Sequence, residues 1–168
     1  MSASVEIFKK YSNPIFIETG SYEGDGIQFA LEAGFKEIYS IEILPGYFGK
    51  CSKIFAGYNN IHLILGDSPI VLGGILNNIN EPITFWLDAH LSTLPGVVPC
   101  PLMEELDAIK RHHIKTHTIL IDDLRDWNFD NYDFDVNVLK EKILLINENY
   151  KFLLEDGYIP NDILVAKV

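Results

Sequence analysis

The sequence predicts a three-layer α/β domain: seven strands in a mostly parallel sheet, the last one antiparallel, with helices on both faces. Three observations carry this. Short apolar runs alternate with helix-patterned stretches along the chain. The runs are continuous in Ile, Leu, Phe and Tyr, which is how strands buried on both faces read, and strands alternating with helical stretches imply a parallel sheet. Two further runs near the C-terminus are separated by a short loop punctuated by Gly157 and Pro160, a spacing that suits an antiparallel pair.

The elements follow in order. The first five strands are expected at 15–18, 37–42, 61–65, 83–88 and 118–122, and most end in an acidic residue. Helices are expected at 26–33, 47–55, 69–78, 101–111 and 136–149. In the fourth of these, Leu102, Leu106 and Ile109 recur at helical spacing with acids between them. The closing pair of strands is expected at 150–155 and 163–167. Packed together, these give an open sheet covered on both sides.

The chain has 168 residues, which fits one domain over 1–168 with a core of its own. Hydrophobic residues make up 48% and charged residues 22%, the balance of a globular protein rather than a disordered or fibrous one. The net charge is −11, from 13 basic and 24 acidic side chains. That argues against nucleic acid or an anionic membrane as partner, since both demand a positive face. No apolar run reaches the roughly 18 residues of a spanning helix, and the first residues lack a signal-peptide pattern. Cys51 and Cys100 form no C-x-x-C pair and read as free thiols in a reducing, cytoplasmic compartment.

In open α/β sheets a ligand lies beyond the carboxyl ends of the strands, where strand order reverses. The acids at those ends are Glu18, Glu42, Asp67, Asp88 and the Asp122–Asp123 pair. Any one of them could instead cap the next helix. The first turn, Glu18-Thr-Gly20-Ser-Tyr-Glu-Gly24-Asp-Gly26, lets the backbone turn sharply and approach a ligand. Its glycines lack the G-x-G-x-x-G spacing of a dinucleotide site, and Glu18 and Glu23 would repel phosphate. The turn suits a ligand without phosphate. Glu42, 22 residues after Gly20, can accept from both hydroxyls of a ribose. Asp67 and Ser68 can meet the edge of an adenine.

The ordered set ETGSYEGDG, SIE, GDS and FWLDAH resembles the Rossmann-like S-adenosylmethionine-dependent methyltransferases, over roughly residues 15–168. The resemblance implies a seven-stranded sheet with the last strand antiparallel, in agreement with the strand count. It implies Glu18, Gly20 and Gly24 around the methionine moiety of S-adenosylmethionine, with Thr19 and Ser21 in the same turn. It implies Glu42 and Ile43 at the ribose, Asp67 and Ser68 near the adenine, and Asp88 facing the reacting sulfonium.

Asp88 and the Asp122–Asp123 pair end two strands expected to be neighbours. Three carboxylates in one pocket repel unless a cation or shared protons intervene. Oxygen donors alone favour a hard ion such as Mg²⁺. The pattern is similar to metal-dependent O-methyltransferases, sugar methyltransferases among them, and on that likeness Asp88, Asp122 and Asp123 hold Mg²⁺. A neutral hydroxyl is a poor nucleophile, so a base must take its proton. His90, two residues past Asp88, is the candidate, at an ordinary imidazole pKa of about 6.5. A loop hydrogen bond is the plainer alternative for His90, and capping for the aspartates. His112, His113 and His117 read as structural, favourable as cations near a helix C-terminus. Arg125 and Trp127 are candidates to line an acceptor pocket, and 91–100 is a candidate lid.

The expected function is therefore methyl transfer from S-adenosylmethionine to a hydroxyl of a small molecule or sugar, assisted by Mg²⁺. A metal-independent methyltransferase and a non-catalytic S-adenosylmethionine-binding module remain as alternatives. Only about 14 residues precede the first strand, short for this family. The acceptor site is then an open cleft or is completed by a second subunit, as in a homodimer.

Overall fold

The computed structural model describes residues 3–90 and 100–168. Seven strands form one sheet: β1 (Ile15–Thr19), β2 (Glu37–Glu42), β3 (Ile61–Leu65), β4 (Ile83–Leu87), β5 (Thr118–Ile121), β6 (Lys151–Glu155) and β7 (Ile163–Lys167). Their order is β3-β2-β1-β4-β5-β7-β6. The first five run parallel, and β7 is antiparallel to both β5 and β6. The foreseen fold class, strand count and reversed last strand are all present. The order reverses between β1 and β4, so the crevice lies at the carboxyl ends of those two strands.

The helices are α1 (Val5–Lys10), α2 (Asp25–Ala33), α3 (Pro45–Ile54), α4 (Ser68–Leu76), α5 (Leu102–Arg111) and α6 (Val136–Leu144). Two apolar layers sandwich the sheet. Ile17, Phe85 and Ile119 pack with Leu72, Leu76, Leu106 and Leu139 of α4, α5 and α6. Phe16, Trp86 and Leu120, on the alternate positions, pack with Phe8, Ile27 and Cys51 of α1, α2 and α3. The period-two alternation thus decides which helix layer each strand residue meets. Among the described residues no helix is long and apolar enough to cross a membrane.

Two elements differ from the sequence expectation. Helix α1 was not foreseen: it has only six residues, too few for a helical repeat to show. It is held by the Ser4 side-chain cap and by Phe8, whose ring packs 4.8 Å from Phe16 and 5.4 Å from Trp86. Helix α6 stops at Leu144 rather than at 149. Asn147 ends it by accepting the Asn149 N–H on its side chain and the Tyr150 N–H on its backbone oxygen.

The histidines after α5 are structural, as expected, but not as cations. The Ile83 N–H donates to His117 Nδ1, so His117 Nε2 carries the proton and donates to His112 Nδ1 at 2.9 Å. His112 Nε2–H then donates to the Ile79 carbonyl. Burial pushes His117 down to about 3 and lowers His112 too. Both rings are neutral links between strand and helix.

Candidate functional site

Two adjoining cavities open at the switch point between β1 and β4. One, of about 260 Å³, is lined by Ile41, Glu42, Ile43 and Tyr47 after β2, by Gly66, Asp67 and Ser68 after β3, and by Asp88 and His90 after β4. The other, of about 370 Å³, is lined by Glu18, Ser21, Glu23, Asp25, Asp122, Asp123 and Arg125. Gly20, Tyr22 and Asp88 border both. The strand-end acids therefore gather along one rim, as the sequence predicted.

Local geometry explains the turn after β1. Gly20 has φ +87°, and a Cβ there would lie 2.8 Å from the Asp88 backbone oxygen, so β1 and β4 close on each other only at a glycine. Gly26 opens α2 against Glu18, whose Oε2 would stand 2.1 Å from a Cβ at that position. These glycines serve close packing of the acid rim, which is why their spacing departs from a phosphate-binding fingerprint.

Glu18 is fully buried and accepts the Ser40 hydroxyl at 2.6 Å. Burial raises its carboxyl to about 8, opposed by the Ser40 bond and reinforced by Asp88 and Glu42. Glu42 is fixed from beneath: Oε2 accepts the Tyr22 N–H at 2.9 Å and Oε1 the Leu44 N–H at 2.8 Å. The tilted rings of Tyr22 and Tyr47 meet at 4.6 Å beside it, forming an aromatic lip that the sequence reading missed.

His90 stands at the junction. Its Nε2 is 2.7 Å from Asp123 Oδ2, and its ring packs against Trp127 at 4.9 Å. Nδ1 is 3.6 Å from Asp88 Oδ1 and has no hydrogen-bond partner among the described residues. Burial alone would lower the His90 pKa; the Asp123 hydrogen bond and the charges of Asp88, Asp123 and Asp122 outweigh it and raise it. The ordinary value expected from sequence is thus corrected upward. Asp88 is pushed up to about 7, first by burial and then by Asp122.

Beyond β5, Asp123 adopts a left-handed backbone at φ 53°. This turns its carboxylate to His90 on one oxygen and to Arg125 Nη2, at 2.7 Å, on the other. Arg125 also bridges to Asp162, which is buried, and lies over the Tyr158 ring. Burial would raise Asp123; the His90 bond and both cations lower it below the usual carboxylate range. Asp122 accepts the Asp123 N–H at 2.7 Å.

The three aspartates foreseen as one metal set divide into two. Asp88 groups with His90 and Asp123, while Asp122 groups with Asp123 and Asp162, each set within 4.8 Å. Both oxygens of the shared Asp123 are already engaged. Mg²⁺ asks for several free oxygen donors. The residues as arranged do not fit it, because Arg125 and His90 occupy that charge position.

Two foreseen ligand residues lie outside both cavities. Thr19 alternates to the opposite face of β1 from Glu18, toward the α5 layer. Gly24 is turned against Phe55 and Cys51 at the start of α2. Of the segment 91–100 expected as a lid, residues 91–99 lie outside the described residues. Arg125 does line a cavity, whereas Trp127 is core. Sequence reasoning also passed over Asp162 and Glu105. Glu105 carried a signal: it falls in the apolar stripe of Leu102, Leu106 and Ile109.

No family model matches the sequence. The chain is 26% identical over 137 residues to cobalt-precorrin-5B C(1)-methyltransferase of Sulfurisphaera tokodaii, covering 71% of this chain but only 38% of that protein. Among solved structures, a Podospora anserina methyltransferase with S-adenosylhomocysteine bound superposes at a TM-score of 0.66 with 13% identity, over 97% of this chain and 75% of that one. A Streptococcus mutans protein described as a methyltransferase, also with S-adenosylhomocysteine bound, gives 0.65 and 17%, over 100% and 99%. An rRNA methylase of Streptococcus thermophilus gives 0.63 and 16%, over 97% and 92%. With seven strands in this order, one reversed, and the rim at the β1–β4 switch point, the chain has the fold of the class I S-adenosylmethionine-dependent methyltransferases.

Proposed function

We propose that the protein transfers a methyl group from S-adenosylmethionine to a hydroxyl of a small molecule or sugar, without a resident metal. The observation that carries this is His90: oriented by Asp123 through Nε2, with Nδ1 buried and without a hydrogen-bond partner among the described residues, beside an acid that borders both cavities. The methyltransferase named by the sequence comparison, and the bound S-adenosylhomocysteine of the structural neighbours, support the cofactor.

The residues fit that cofactor in chemistry. S-adenosylmethionine supplies a methyl carbon on a cationic sulfur. Glu42, held by two backbone N–H groups, keeps lone pairs for ribose hydroxyls. Asp67 and Ser68 line the same cavity as Glu42 and offer polar groups for an adenine edge. A cationic sulfonium between the cavities would draw the raised Glu18 and Asp88 carboxyls toward their charged forms, and that attraction would end when the sulfur becomes a neutral thioether, which favours product release. The acceptor hydroxyl gives its proton to His90 Nδ1 as the oxygen–carbon bond forms and the sulfur–carbon bond breaks. Asp123 and Arg125 hold the imidazole for this transfer.

A small neutral or cationic acceptor suits a cavity bordered by Glu18, Glu23, Asp25 and Asp88, with Arg125 already engaged. A phosphate backbone does not. The magnesium-assisted form would use Asp88, Asp122 and Asp123; the engagement of Asp123 favours the metal-free form. Thermal shift with S-adenosylhomocysteine, followed by a screen of hydroxylated acceptors for S-adenosylhomocysteine release, tests the proposal. No stabilisation at millimolar ligand would sink it.

A further inference from the structure

Helix α5 carries a carboxyl where its apolar stripe calls for a hydrophobe. Glu105 sits between Leu102 and Ile109 on that stripe and is 1% exposed. It has no salt-bridge partner among the described residues. Burying a lone carboxyl is costly, and a leucine would extend the stripe without that cost. The Glu105 carboxyl accepts the Ser68 hydroxyl. The Thr19 hydroxyl lies close enough to favour its charged form, yet out of hydrogen-bond alignment. Glu105 thus lies behind the wall of the 260 Å³ cavity, joined to a residue that lines it.

We propose that Glu105 is a positioning residue that sets which purine the cavity accepts, by anchoring the Ser68 side chain so that the wall offers the ligand a backbone N–H and the Asp67 carboxylate. This rests on the reading of that cavity as the nucleoside pocket. Ser68 is the first residue of α4, where N–H groups lack intrahelical partners, and the Asp67 side chain makes no cap bond. With the Ser68 hydroxyl drawn back to Glu105, the wall presents one donor and one acceptor side by side. A 6-aminopurine edge, with its ring-nitrogen acceptor and exocyclic amino donor, matches that pair. A 6-oxopurine edge presents the reverse order and leaves both wall groups unpaired. Released from Glu105, the Ser68 hydroxyl can rotate toward the ligand and serve as donor or acceptor, so the wall no longer discriminates. Burial raises the Glu105 carboxyl to about 7, with Ser68, Thr19 and His90 opposing and Asp67 reinforcing.

The test is calorimetric titration of the full chain with S-adenosylhomocysteine and with S-inosylhomocysteine, its 6-oxo counterpart. The wild type should prefer the amino ligand by about tenfold or more, since the other leaves buried groups unpaired. Glu105→Leu should bring the ratio to near unity. Glu105→Gln, whose amide oxygen still accepts from Ser68, should restore it. Ser68→Ala has no hydroxyl to turn toward the ligand, so it should keep the wild-type ratio, and adding it to Glu105→Leu should restore that ratio; Glu105→Ala decides the matter if Glu105→Leu does not fold. Wild-type preference persisting in Glu105→Leu or Glu105→Ala, or lost in Ser68→Ala, overturns the proposal while leaving the cofactor reading intact. A wild type that binds neither ligand overturns both.

Discussion

His90 Nε2 lies 2.7 Å from Asp123 Oδ2, so the loop after β4 and the loop after β5 are tied by one hydrogen bond across the acid rim. The pairing fixes the ring by its outer nitrogen and leaves Nδ1 toward Asp88. It depends on the left-handed backbone at Asp123, which aims that carboxylate inward.

The first prediction concerns this pair. A base works only when deprotonated, and the His90 pKa is raised by its carboxylate neighbours. The acid limb of the pH–rate profile should therefore lie above the ordinary histidine value of about 6.5. Asp123→Asn should move that limb to lower pH and lower the rate. His90→Ala should reduce kcat by roughly 10²–10⁴-fold with little change in cofactor affinity. A His90→Ala enzyme at full rate would remove the assignment.

The second concerns the metal. Because Arg125 and His90 engage both oxygens of Asp123, activity should persist in a chelator. Arg125→Ala should loosen Asp123 and Asp162 together and reduce the rate even with Mg²⁺ added. A strict requirement for Mg²⁺, abolished by Asp122→Asn, would show that the ion displaces the arginine.

Packing at the first turn gives a third. Gly20→Ala places a Cβ 2.8 Å from the Asp88 backbone oxygen at φ +87°, where neither side can yield. It should lower Tm by several degrees, on the scale of about 1–3 kcal/mol for a strained backbone, and abolish S-adenosylhomocysteine binding. Gly34→Ala is the control: it has a similar φ of +89° with nothing near the added atom, so it should cost stability but spare binding.

A fourth prediction follows from Glu18. Its folded pKa of about 8 lies above its unfolded value, so the native state holds a proton that the unfolded chain has released. Its contribution is full below about pH 4.5 and is lost as pH rises toward 8. Glu18→Gln should therefore stabilise the ligand-free protein increasingly between pH 5 and 8. Melting curves across that range check it; a pH-independent difference would mean Glu18 is not buried as a neutral acid.

Much of this was legible from residues 15–167 as written. The continuous apolar runs located every strand within about a residue; in β1, β4 and β5 burial on both faces leaves no room for polar alternation, while the edge strands β3 and β6 are partly exposed. The order of turns put Glu18, Glu42, Asp67 and Asp88 on one side, since parallel strands share their carboxyl ends. The six residues of α1 escaped, having too short a pattern to show periodicity. Thr19 lies outside both cavities because of strand alternation, and Gly24 because it is turned against Phe55, a contact that no local pattern reveals.

The sequence by itself determined the layers, the strands and the acid at each strand end, because those depend on local period and on which residue precedes each turn. Only the tertiary structure decided what the acids do. That Asp123 faces His90 and Arg125, that Asp162 joins them from the start of β7, and that Glu105 reaches Ser68 all arise from side chains far apart in the chain. Their charges and proton affinities are set by burial and by neighbours a few ångströms away, and neither quantity exists until the sheet has closed.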